Sequence, residues 1–122
     1  MTVSLEQERA AAAWQYSKEG VLKEPESYPR LAKSTPSMVM SSGLMQTLAF
    51  LKDKSSAQHL LLLGHLAGWV SERFDGEATT DSSHPFPKRG TAEFEPLMNA
   101  LFCATPQQYQ RATMEVMAVL RW

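Results

Sequence analysis

Three histidines, one cysteine and thirteen carboxylates are the groups in this 122-residue chain with which metal binding or nucleophilic chemistry could be done. Their spacing keeps them apart. His59 and His65 are six residues apart, a rotation of about 240° on a helix, so they face different directions. No HExxH or CxxC spacing brings zinc ligands together. His84 sits among Ser, Pro and Gly, and Cys103 lies between Phe102 and Ala104, where a buried, unreactive thiol is expected. Glu93 and Glu95, two apart, point from different helical faces and make no acid–base pair. The phosphate-cradling patterns GxxxxGK[ST] and GxGxxG are absent. The sequence therefore predicts no catalytic residue, no metal site and no cofactor site.

Aromatic residues beside cations are a different kind of chemistry, because a base can stack while its phosphate is neutralised. Tyr28 with Arg30, Phe86 with Lys88 and Arg89, and Arg121 with Trp122 have that pattern. Against it, Tyr28, Trp14, Trp69 and Trp122 recur at helical spacing with other apolar residues, which predicts core or interface positions. Net charge is −1, too little cation for an independent, tight nucleic-acid binder. The charge is uneven, however. Residues 1–26 carry −2, residues 27–54 carry +3, residues 71–95 carry −3 with three cations against six anions, and residues 96–122 carry +1. The basic stretch ends on Lys52 and Lys54, at the close of the Met- and Leu-rich segment Ser37–Lys54.

The elements that must position these groups read as helices. Ser4 with Gln7 forms a capping box for a helix over 4–20, closed by Gly20. Ser27 and Pro29 open a short helix over 28–33, and Pro36 ends it or opens the next turn. Residues 37–42 extend toward Gly43, which is a kink or a cap before a helix over 44–54 with Leu44, Leu48 and Leu51 as its buried stripe. Ser55 with Gln58 makes a second capping box for a helix whose wide apolar arc, Leu60, Leu62, Leu63, Leu66, Ala67, Trp69 and Val70, predicts cover on more than one side. Gly64 and Gly68 on that helix would permit close approach of another. Residues 74–90, rich in Gly, Ser and Pro, read as an irregular and mobile loop. A helix over 91–103 is broken or started at Pro96, and Thr105-Pro106-Gln107-Gln108 opens the last one. Glu115 and Arg111, four apart on it, form an expected ion pair.

No alternation of β-strand type persists, so the fold class is all-α: a single compact domain over residues 1–122, of five to seven helices, bundle-like. The longest uncharged run, Ser55–Val70 with Ser71, is shorter and more polar than the ~20 apolar residues of a membrane span. One cysteine and a polar, charged start lead us to expect a cytoplasmic setting.

Three blocks in order resemble the small helical subunit, the fifth Cmr subunit, of the type III-B CRISPR–Cas effector complex. They are Arg9-Ala10-Ala11-Ala12-Ala13-Trp14; Tyr28, Leu31-Ala32-Lys33, Pro36, Met38-Val39 and Gly43–Leu51 with Lys54; and Tyr109, Arg111-Ala112-Thr113, Glu115, Leu120 and Trp122. The string GLMQTLAFLKDK is the most specific part. The family pattern runs past its last tryptophan into a short basic stretch, and this sequence ends at Trp122.

The resemblance implies a non-catalytic subunit of a CRISPR ribonucleoprotein. Copies would stack into a minor filament beside the backbone and large Cmr subunits, supporting the duplex of CRISPR RNA and target RNA in antiviral defence. On charge and motif membership, the candidate RNA contacts are Arg30, Lys33, Lys52 and Lys54, with Arg9 and Arg111 behind them. The competing readings are a helical protein–protein adaptor that makes no RNA contact, and an enzyme acting through Cys103.

Overall fold

The first helix begins as its sequence requires. Ser4 Oγ accepts from the Gln7 amide at 3.1 Å, and Gln7 Oε1 accepts from the Ser4 amide at 2.8 Å, so two donors that a helix start leaves open are satisfied. In the computed structural model, which describes residues 3–91 and 93–121, six helices follow one another: α1 (Leu5–Lys23), α2 (Ser27–Ser42), α3 (Leu44–Lys54), α4 (Ala57–Phe74), α5 (Phe94–Cys103) and α6 (Pro106–Leu120). The fold class is all-α, as expected, with no strand among the described residues. The chain forms two compact units, one running to Leu62 and resuming at Met117, the other Leu63–Val116.

In the first unit α2 lies against both α1 and α3. Gly20 does not close α1; the helix continues three residues beyond it. Gly20 is there because a side chain would not fit. A Cβ would come within 2.2–2.5 Å of the Tyr28 ring, which is buried against it. Nor does Pro36 end α2. Tyr28, Thr35 and Val39 are buried on one stripe that extends to either side of the proline, so burial holds both halves despite the missing N–H. Thr35 is accommodated in that stripe because its hydroxyl donates to the Leu31 carbonyl at 2.7 Å.

Gly43 settles whether residues 37–54 make one helix or two. Its φ of 90° breaks the chain into α2 and α3, and its carbonyl then accepts from the Thr47 amide and hydroxyl. The expected stripe of α3 is fully buried: Leu44, Leu48 and Leu51, joined by Thr47. Ser55 does not cap α4. It takes a left-handed conformation at the C-cap of α3 and donates to the Lys52 carbonyl at 2.9 Å. The expectation failed because Ser55 and Ser56 are both plausible caps, and closing α3 needed the first of them.

In the second unit Leu63, Leu66, Ala67, Trp69 and Val70 are buried on α4, which bears out the wide apolar arc; Leu60, in the first turn, is exposed. Gly64 faces open space, so it mediates no close approach. The segment after α4 turns at Asp75-Gly76, both with positive φ, and is tied to its surroundings. The Phe74 and Phe86 rings stack at 4.1 Å, the Phe86 amide donates to the Glu77 carbonyl, and Thr80 donates to the Cys103 carbonyl through both its amide and its hydroxyl. α5 starts at Phe94 with Pro96 in its first turn, where no N–H is needed. α6 opens on the capping box of Thr105 and Gln108.

Candidate nucleic-acid interface

Lys52 and Lys54 stand exposed in the last turn of α3. Two features place them there. The buried leucine stripe fixes the helix, and the carbonyl end of a helix dipole favours cations. Lys54 Nζ lies 5.5 Å from the centroid of the Phe50 ring, which restrains it without neutralising it. Arg30 and Lys33 are exposed on α2, three apart and thus on neighbouring positions of one face. Arg9 is half-buried on α1. These five cations belong to the first unit, whereas Arg111 lies in the second.

Arg111 sits in a different environment. Its guanidinium bonds the Glu77 carboxylate and lies over the Phe74 ring at 4.0 Å. Burial by itself would raise the Glu77 carboxyl; the hydrogen bonds from Arg111 and Gln108, with the Arg111 charge, outweigh it and hold the group below the usual carboxylate range. Glu115, the partner expected for Arg111, is turned inward and buried. It accepts from Trp69 Nε1 at 3.2 Å and lies 3.9 Å from Arg73 Nε. The i, i+4 pairing gave way because a buried indole N–H needs an acceptor more than a surface cation does.

The aromatic–cation pairs divide. Tyr28 is buried, and burial pushes its phenol well above the usual range, with Glu19 and Tyr16 adding to the shift. Phe86 is 1% exposed beneath its own loop. Neither ring presents a face to a base. Trp122 lies outside the described residues, and Arg121 donates to Met40 Sδ at 3.8 Å. Trp69 is core, as its spacing implied. Trp14 is not core: it is 64% exposed, with Lys18 Nζ 5.6 Å from its ring and Val21 and Leu22 exposed farther along α1. Of the two positions its spacing allows, core or interface, the structure removes the first, and the sequence carries a signal for this. Ala13 and Gly20, seven apart, are the small residues that mark the packed face of α1, and Trp14 is turned about 100° from Ala13. The Glu77–Arg111 contact bridges 34 residues and had no local signal.

Among the described residues no three His, Cys, Asp or Glu side chains come together as metal ligands, and no helix is long and apolar enough to cross a membrane.

The described residues form an all-α protein, and the candidate cations lie on α1, α2, α3 and α6. The family model described as CRISPR-associated protein (Cas_Cmr5) matches residues 5–122, and the chain belongs to that family. It is thus a CRISPR-associated Cmr subunit of type III-B systems. No curated protein matches it.

Proposed function

We propose that this chain is a non-catalytic small subunit of a cytoplasmic Cmr ribonucleoprotein acting in antiviral defence. Copies stack beside the backbone and large subunits and support the duplex of CRISPR RNA and target RNA. The observation that carries the reading is the exposed end of α3, where Lys52 and Lys54 project to either side of a fully buried stripe. With Arg30 and Lys33 exposed on the neighbouring helix, the first unit offers a few phosphate contacts, and the net charge of −1 is too low for more. The subunit adds to a site that other subunits complete.

The experiment is target-RNA binding by the reconstituted complex carrying Lys52→Glu or Lys54→Glu. Weaker binding with a shallower salt dependence supports the reading. One observation favours the adaptor alternative, the exposed apolar surface of α1 formed by Trp14, Val21 and Leu22. Under that reading Trp14→Ala disrupts assembly while both lysine variants bind RNA as the parent does. A Cys103→Ala complex retains full activity under either.

A further inference from the structure

Residues 71–95 carry −3, and part of that acidic segment lies on a cation of α6. Glu77 bonds the Arg111 guanidinium, and the same carboxylate accepts from Gln108 Nε2 at 3.1 Å. Both members of the ion pair stay accessible, with side-chain exposures of 48% for Arg111 and 36% for Glu77. We propose that Glu77 is an internal stand-in for an RNA phosphate: it occupies Arg111 in the free subunit, and an incoming phosphate takes its place and loosens the segment that Glu77 clips to α6. This rests on the RNA-supporting role proposed above and adds a regulated contact to it.

The chemistry is that of one fork with two acceptors. A guanidinium binds carboxylate and phosphate through the same N–H geometry, and the phosphate brings at least as much charge. An ion pair exposed to this degree is weak, so exchanging its anion costs little. Arg111 stays in position without Glu77, because the Phe74 ring lies 4.0 Å beneath the guanidinium and is itself stacked on Phe86. The segment also keeps other attachments. Gln108 Nε2 donates to the Ala78 carbonyl at 2.8 Å, and Thr80 bonds the Cys103 carbonyl. Displacement of Glu77 therefore loosens the turn around Gly76 and Glu77 rather than the whole segment. The amides that report it are those of Gly76, bonded to the Pro87 carbonyl, and Phe86, bonded to the Glu77 carbonyl.

The test compares complexes reconstituted with the parent chain, Glu77→Gln, Arg111→Ala and the double variant, using a target RNA complementary to the guide. Glu77→Gln keeps an acceptor for Gln108 and removes the charge. It raises RNA affinity by about two- to fivefold, the fold-change equivalent to one exposed ion pair. Arg111→Ala lowers affinity, and in its background Glu77→Gln has no effect. Hydrogen exchange over residues 76–87 speeds up when RNA binds the parent complex and not when it binds the Arg111→Ala complex. Unchanged or reduced affinity for Glu77→Gln overturns the inference. If Lys52→Ala and Lys54→Ala still weaken binding in that case, the RNA-supporting role stands and only the exchange at Arg111 falls. If none of these variants alters binding, both fall.

Discussion

Replacing glycine by alanine inside a helix normally stabilises it, by about 1 kcal/mol, because alanine loses less backbone freedom on folding. Two glycines in this fold should respond with opposite signs. At Gly64 on α4 an added Cβ meets nothing within 4 Å, so Gly64→Ala should stabilise by roughly 0.5–1 kcal/mol. At Gly20 on α1 the Cβ would meet Tyr28 Cδ1 at 2.2 Å, Cε1 at 2.4 Å and Cγ at 2.5 Å. The ring is 5% exposed and cannot swing into solvent without giving up its burial. Forcing an extra carbon into such a site costs about 1–3 kcal/mol. With the clash along one edge of an aromatic ring the upper half of that range applies, and after the helix gain the net loss is about 1–2 kcal/mol. The two variants should differ by about 1.5–3 kcal/mol, or about 1 M in urea midpoint at a slope of about 2 kcal/mol/M. In a Tyr28→Ala background the penalty at Gly20 should vanish, since the two sites then share no contact. Equal stabilisation by Gly20→Ala and Gly64→Ala in urea melts would refute the close approach of α1 and α2.

The buried carboxylate of Glu115 gives a second test. Glu115→Leu leaves the Trp69 indole N–H without this acceptor and should cost about 1–3 kcal/mol in thermal melts, whereas Glu115→Gln keeps an oxygen there and should cost less. Acid should open the segment after α4. The Glu77 carboxyl is held below its ordinary value, so its contacts stabilise the folded state above the ordinary carboxylate range and lose that contribution as pH falls through the lowered value. Protection of the Phe86 amide should therefore persist through the ordinary carboxylate range and fall only in more acid solution, and Glu77→Gln should remove the step.

The local chemistry of helix starts was legible in the sequence. The capping boxes at Ser4 and Thr105 depend on residues three apart, and the Leu44, Leu48 and Leu51 stripe on a period that any helix imposes. Features set by tertiary contact were not. Gly20 has the look of a helix terminator, and only the Tyr28 ring explains why it lies inside α1. Pro36 reads as a breaker, yet burial on both sides of it keeps α2 whole. The composition of residues 74–90 suggests mobility, while Phe86 anchors them beneath Phe74. The candidate site was legible in the same measure. Positions on helix faces and ends placed Lys52, Lys54, Arg30 and Lys33 in solvent, but the partners of Arg111 and Glu115 are fixed across 34 and 46 residues, beyond the reach of any periodicity. The spacing of Trp14 fits core or interface, and with Ala13 and Gly20 on the buried face of α1 it stands in solvent.

The most direct measurement is the salt dependence of target-RNA binding by the complex assembled with Lys52→Ala/Lys54→Ala chain. Each phosphate contact contributes about 0.7–0.9 to the slope of log affinity against log salt. Loss of both contacts should make the slope shallower by about 1.4–1.8 for every copy that touches the duplex. A complex that assembles fully and binds target RNA with the parent slope and affinity would contradict the account.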